Sequence, residues 1–285
     1  MKALENVWEL VDQFTKAPSC VYINEDAIES HLDELSQVEL EKEPMPRCIP
    51  GPINTYPDLI TYELIAGSIN YCYWYGHPSI RPLGCCSNKM YEILDDCFDT
   101  RTMSLHAIIE IFKSDLATER FPLLEERCRH LDELKERAYS TSSFIFSHLG
   151  DIEACLQHLI MSYPGYASDM FIKRASLFFM QLARRSTMFE GQLGVLPVPA
   201  DYQVPKMLRS MGILKYSREL DTMISCADLI PSGSVMECEI RASMIKACKM
   251  LCDRSGKDPG VIDYWLWMNR KSCSDNFHLT ITTDY

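Results

Sequence analysis

The chain has 285 residues, of which 47% are hydrophobic, 24% charged and 10% aromatic. This is a globular composition, too apolar for disorder and long enough to bury a large core. Forty Asp+Glu against 28 Lys+Arg give a net charge of −12, which repels a polyphosphate backbone or an anionic lipid surface and argues against duplex nucleic acid and membranes as partners. No run of about 18 apolar residues is present to span a bilayer. The opening MKALENVWELVDQF carries Glu5, Glu9 and Asp12, where a secretory signal needs an unbroken apolar stretch. Thirteen cysteines, an odd number with no CxxC pair, fit reduced core thiols in the cytoplasm better than a disulfide framework or a zinc site. The close pairs Cys85-Cys86 and Cys248/Cys252 have no His or second pair nearby in sequence.

In chain order, Ser19–Ile23 reads as a strand. Asn24 can cap a helix over 25–38, with Ala27, Ile28, Leu32 and Leu35 on one face. Residues 39–58 hold five prolines and one glycine, a loop and a candidate lid. Helical periodicity returns at 61–74, 89–98 and 104–117, and from Pro122 to Ala138. Ser168 and Asp169 precede a helix over 171–182. Pro205 opens a short helix that stops at Gly212, and the apolar Ile213-Leu214 beyond permits a DNA-reading helix-turn-helix, which the acidity of the chain opposes. Ser234 and Glu237 have capping-box spacing ahead of a helix over 240–251, and Gly256 stops it. Asp258-Pro259 begins another through Trp267. The tail His278–Thr282 reads as a second strand. Without βαβ alternation, phosphate-binding glycine loop or internal repeat, the reading is a single, mainly α domain over 1–285.

Charge is uneven. Residues 1–60 carry 12 acids and 4 bases, whereas 173–218 carry 8 bases and 2 acids. The basic half could hold a small anion such as a phosphomonoester, or be a solvated face. Asp201 lies just ahead of the Pro-initiated helix, whose N–H groups favour its ionised form. It could stabilise a developing cation or orient a water. The run Ile69-Asn70-Tyr71-Cys72-Tyr73-Trp74 joins an amide to three aromatics, as a base-stacking wall or as core. Glu237, Glu239 and Arg241 fall within about a turn, and Asp263 and Trp267 share a helix face.

At these residues the chain resembles a known family. ADYQVPKMLRSMGILKYS is similar to the ADYRVPQ-type signature of the queuosine salvage proteins, the queuosine 5′-phosphate N-glycosylase/hydrolases. FIKRASLF resembles their YKRAQ segment, and INYCYW their NFCFW segment. GSVMECEIRA is similar to their GS-x-x-E-x-EIRA run, and VIDYWLW to their aspartate-plus-LW helix. The segments occur in the same order, from about Val21 to Trp267. The resemblance implies an all-α fold with the helix-hairpin-helix arrangement of DNA glycosylases. The implied reaction is hydrolysis of queuosine 5′-monophosphate to queuine and ribose 5-phosphate, for salvage toward tRNA modification, with no metal or organic cofactor.

By the same resemblance, Asp201 is the catalytic acid and Lys173 lies in the active site. Asn70, Trp74, Tyr202, Glu239, Arg241, Asp263 and Trp267 are expected around the substrate, with Arg174, Arg184, Arg185 and Arg241 as cations available to the 5′-phosphate. The chain departs from the pattern at Gln203 (usually Arg), Lys206 (usually Gln) and Ser176 (usually Gln), and 183–200 is a few residues short. Those departures leave open a glycosylase for another modified nucleotide. A catalytically silent nucleotide-binding helical protein is the alternative of a different class.

Overall fold

The computed structural model describes residues 2–49, 56–74 and 86–285. Cys85 and positions 50–55 of the proline-rich loop lie outside them. Among the described residues the protein is mainly α, with fourteen α-helices and one two-stranded sheet.

Two long helices organise the packing. Helix α3 (Tyr56–Ser68) is buried over ten of its thirteen residues, from Leu59 to Ser68, so it lacks the one-sided periodicity of a surface helix. Around it pack α4 (Ser87–Cys97), α6 (Leu124–Leu134), α7 (Ala138–Ser147) and α10 (Lys173–Arg185). Helix α13 (Val235–Ser255) is the second axis, packed against α1 (Lys2–Lys16), α2 (Glu25–Ser36), α11 (Gln203–Ser210) and α14 (Pro259–Asn269). Its ends follow their chemistry: Ser234 Oγ accepts from the Glu237 amide at 3.3 Å, and Gly256 closes it at φ +68°, a conformation only glycine adopts without strain. Asp258 starts α14 by accepting from the Gly260 amide at 2.7 Å.

Several elements differ from the sequence reading. Strand β1 (Val21–Ile23) pairs antiparallel with β2 (Leu214–Tyr216), Tyr22 opposite Lys215. The segment after Gly212 is therefore a strand and not the second helix of a DNA-reading motif. The tail forms no strand, only an isolated bridge between Leu279 and Leu229. Asn24 precedes α2 but does not cap it; its side-chain amide donates instead to the Gly212 carbonyl at 3.1 Å. Of the proline-rich loop, 39–49 is non-helical and strapped to the end of α10. The Lys42 ammonium donates to the Ala183 and Ser186 carbonyls at 2.7 and 2.8 Å, and Glu43 pairs with both Arg184 and Arg185.

Where α3 ends, its outgoing carbonyls lie in a dry interior and need donors. Three buried cations supply them. Arg174 donates to the Ser68 carbonyl at 2.5 Å. Arg127 donates to those of Ile69, Tyr71 and Cys72. Lys173 donates to that of Asn70 at 2.8 Å. Arg127 is fully buried and its Nε also holds the Pro122 carbonyl at 2.7 Å. Since the Ile69 carbonyl keeps the Tyr71 amide, Arg127→Met should strand the Pro122, Tyr71 and Cys72 carbonyls and cost ~3 kcal/mol or more. Urea unfolding measures this, and a loss below ~1 kcal/mol would refute the clamp.

Candidate active site

The segment 68–72, the start of α10, the entry to α11 and one face of α14 converge on a cavity with two lobes. The first, of about 110 Å³, is lined by Asn70, Lys173, Pro199, Asp263 and Trp267, with Glu43, Arg184 and Arg185 at its edge. The second, of about 450 Å³, is lined by Tyr202, Gln203, Lys206, Trp267, Arg270 and Lys271. Ser87, Asn88 and Trp267 border both.

Lys173 is the first residue of α10 and only 4% exposed. Asp169 fixes that position, accepting from the Phe171 amide at 2.9 Å and the Lys173 amide at 2.7 Å. Burial pulls the Lys173 ammonium down to about 8, against the opposing attraction of Asp201 and Asp263.

Asp201 follows Pro199 of the first lobe and precedes Tyr202 of the second in sequence, and itself lines neither. Its Oδ1 accepts from the Gln203 and Val204 amides at 2.8 and 2.9 Å, so the open first turn of α11 anchors one oxygen. No hydrogen bond reaches Oδ2 among the described residues. Burial raises this carboxyl above its ordinary range, against Lys173 and the two amides. Arg270, of the second lobe, also attracts it.

Asp263 is 7% exposed and accepts no hydrogen bond among the described residues. Burial pushes it up to about 7, moderated by Arg184 and reinforced by the charge on Asp201. A buried carboxyl held in reserve at the wall of a cavity is a marker of a functional site. Trp267 follows one turn later on α14, with the Arg270 guanidinium stacked 3.7 Å from its ring centroid.

The cavity does not gather every residue singled out in the sequence. Trp74 is 1% exposed and tilted against Phe277 at 6.3 Å, so it is core and not a wall. Glu239 points away, taking the Ser19, Cys20 and Val21 amides. Burial works upward on it, but those bonds outweigh it and hold the carboxyl below its ordinary range. Arg241 is a brace: it pairs with Asp169 at 2.7 Å, donates to the Ala200 carbonyl at 3.1 Å and lies 3.5 Å from Glu237. The Glu237–Arg241 pair is thus buried and not a surface pair.

Arg174, Arg184 and Arg185 of the basic stretch are likewise committed inside. Arg174 holds carbonyls, Arg184 pairs with Glu43, and Arg185 bridges Glu43 and the buried Glu63. Asp169 and Arg270 are additions to the sequence reading. Position 270 falls one turn beyond Trp267, a spacing that helical periodicity marks.

The profile of the queuosine salvage protein family matches residues 52–283. Similar proteins from several organisms carry the name queuosine 5′-phosphate N-glycosylase/hydrolase. The protein from Nematostella vectensis is 29% identical over 53% of this chain and 48% of its own length. That from Sphaerobacter thermophilus is 28% identical over 73% and 75%, and that from Dictyostelium discoideum 25% over 81% and 80%. The matched stretch thus spans about half of the Nematostella relative and more of the other two.

The state of Asp263 has a stability consequence. Its folded-state value of about 7 stands above the ordinary 3.8, so the native state binds the proton more tightly than the unfolded chain. Its contribution is fully present below about 4 and is lost as pH rises through about 7. Asp263→Asn should therefore raise Tm at pH 8 by ~2–4 °C or more, a gain that shrinks toward pH 4. Calorimetric scans at the two pH values check this; an equal or reversed difference counts against it.

Proposed function

The chain belongs to the queuosine salvage protein family, and on that footing we propose that it hydrolyses the N-glycosidic bond of queuosine 5′-monophosphate, releasing queuine and ribose 5-phosphate. One observation carries the reading: the Lys173 ammonium and the Asp263 carboxyl line one lobe of a cavity, and Asp201, flanked by the lining residues Pro199 and Tyr202, lies within electrostatic reach of both, with its Oδ2 and the Asp263 carboxyl free of hydrogen bonds from the described residues.

Breaking an N-glycoside builds positive charge on the ribose, as in an oxocarbenium-like transition state. Asp201 meets that charge at C1′ with Oδ2, while the α11 amides keep Oδ1 from turning away. A water attacks C1′ and forms the new C–O bond. The C1′–N electron pair leaves with the base, Asp201 takes the proton from the water, and Asp201 then returns to its ionised form as solvent delivers a proton to the departed base nitrogen, giving neutral queuine. The departing 7-deazapurine lacks N7, so protonation there cannot help it leave. Its guanine-like edge donates N1–H and its exocyclic amine to ionised Asp263, which selects and orients the base, while the Asn70 side-chain amide can donate to the base as negative charge builds on it and Trp267 is the stacking surface. Lys173 holds the water and Asp201 in register, and its charge counters the build-up of negative charge between two carboxylates. Tyr202 faces the sugar side.

A glycosylase for a different modified nucleotide is the second reading, favoured by the unusual Gln203 and Lys206, which both line the second lobe. Assay of guanosine monophosphate beside queuosine monophosphate, with mass-spectrometric detection of the released base, separates the two.

Asp201→Asn should preserve the fold and lower turnover by ~10² or more, as for loss of a charge used in the transition state. Queuine release near the wild-type rate by that variant would reject the role. The pH profile of kcat/KM should be bell-shaped. Asp263 acts ionised and gains its charge through about 7, whereas Lys173 acts protonated and loses its charge through about 8. A profile flat from pH 6 to 9 would contradict both assignments.

A further inference from the structure

The two lobes differ in charge, and we infer that the larger one is the seat of the substrate's 5′-phosphate, with Lys206 as the cation that sets phosphate preference in this chain. The inference rests on the glycosylase reading for the identity of the ligand, but its chemistry is that of any phosphomonoester.

The first lobe is a poor place for a dianion. Asp263 and Glu43 line it, its two arginines already face carboxylates, and Lys173, its third cation, is engaged by the Asn70 carbonyl and lies between Asp201 and Asp263 in charge. At about 110 Å³ it is also well below the ~300 Å³ at which small-molecule pockets begin, so it takes one part of a nucleotide only. The second lobe has the opposite character. Lys206, Arg270 and Lys271 line it, with no carboxylate among its described residues. It also borders Ser87 at the start of α4, an end that no side chain caps and that adds partial positive charge. Asp201 feels both Lys173 of the first lobe and Arg270 of the second, so the layout that brings C1′ to it puts the base in the first lobe and the phosphate in the second.

Lys206 also has a structural job. Its ammonium donates to the Arg270 and Cys273 carbonyls at 3.2 and 3.3 Å, which would by itself explain a lysine there. The charge, however, is not cancelled by carbonyls. Gln203, three residues earlier on α11, lines the same lobe and stands where the family signature carries arginine, while Lys206 stands where it carries glutamine. One turn of a single helix separates the two positions, so the positive charge has moved along α11 without leaving the lobe.

The test is a relocation series: wild type, Lys206→Gln, Gln203→Arg/Lys206→Gln and Lys271→Gln. Two readouts apply: calorimetric binding of ribose 5-phosphate, which needs no turnover, and the ratio of kcat/KM for queuosine monophosphate over queuosine. Lys206→Gln should weaken ribose 5-phosphate binding ~10-fold or more and lower the ratio in parallel, since a charge-assisted phosphate contact is lost. The double variant should recover both to within ~3-fold. Lys271→Gln, at an exposed position that the fold does not need, should lower both ~3-fold or more. Failure of the double variant to recover what Lys206→Gln loses would make Lys206 a brace for 270–273 only and overturn its assignment. Unchanged binding in both Lys206→Gln and Lys271→Gln would overturn the lobe itself, as would hydrolysis of the monophosphate by a wild type that does not bind ribose 5-phosphate. Binding of ribose 5-phosphate with the predicted losses but no base release would uphold the lobe and refute the glycosylase.

Discussion

The geometry of the cavity depends on the carbonyls that leave the end of α3. Five consecutive ones, from Ser68 to Cys72, are taken by three buried cations, Arg174, Arg127 and Lys173. A helix C-terminus concentrates partial negative charge, and burying it without donors would cost more than a small protein can spare. The cations satisfy it and in doing so hold the chain that follows. The Asn70 carbonyl is tied to the Lys173 ammonium itself, so the amide that lines the first lobe and the ammonium beside it move as one unit. This also explains the basic composition of the α10 region: much of its positive charge faces inward to carbonyls and carboxylates.

A second node sets the other half of the site. Arg241 of α13 grips Asp169 and the Ala200 carbonyl together. Asp169 fixes the backbone entering Lys173, and Ala200 immediately precedes Asp201, so one guanidinium spaces the two groups on which the proposed chemistry rests. The backbone there is held against its preference. Ile172, between the two amides that Asp169 accepts, sits at φ +47°, a left-handed conformation costing a β-branched residue ~1–2 kcal/mol. Strain of that kind persists only where surrounding contacts impose it, and here they aim Lys173 at the cavity. Arg241 is thus a positioning residue, which accounts for its place in the EIRA run although it lines neither lobe.

How far these features were legible differs with their physical origin. Helices α13 and α14 announce themselves through Ser234, Glu237, Gly256 and Asp258, because caps are local chemistry written in adjacent residues. Helices α1, α7, α8 (Ile152–Ser162) and α12 (Arg218–Ser225) are absent from the predicted elements. Strand β2 spans three residues, too few for alternation to register, and the tail His278–Thr282 alternates without a neighbouring strand to pair with. Asn70, Lys173, Asp263 and Trp267 line one lobe, with Asp201 in electrostatic reach, although up to about 200 residues separate them in sequence. Resemblance to family motifs singled them out together; composition and spacing could not, since each alone reads equally as core or surface. The same motifs also held Trp74, Glu239 and Arg241, whose environments are structural. A motif records that a residue matters without saying whether it meets ligand or holds the residue that does.

A chain at −12 looks hostile to an anionic ligand, yet its acids and its cavity cations are spatially sorted. Glu5, Glu9 and Asp12 on α1 and Glu25, Asp26 and Glu29 on α2 are exposed, where salt screens their fields over roughly 8–10 Å. A ligand inside the second lobe instead meets Lys206, Arg270 and Lys271 at close range, with less water between. Long-range repulsion therefore bears on a duplex, which presents many phosphates to the whole surface, and scarcely on a single monophosphate that enters one cationic lobe. The acidity that argues against polymeric nucleic acid is compatible with a mononucleotide substrate, because the two ligands sample the field of the protein at different distances.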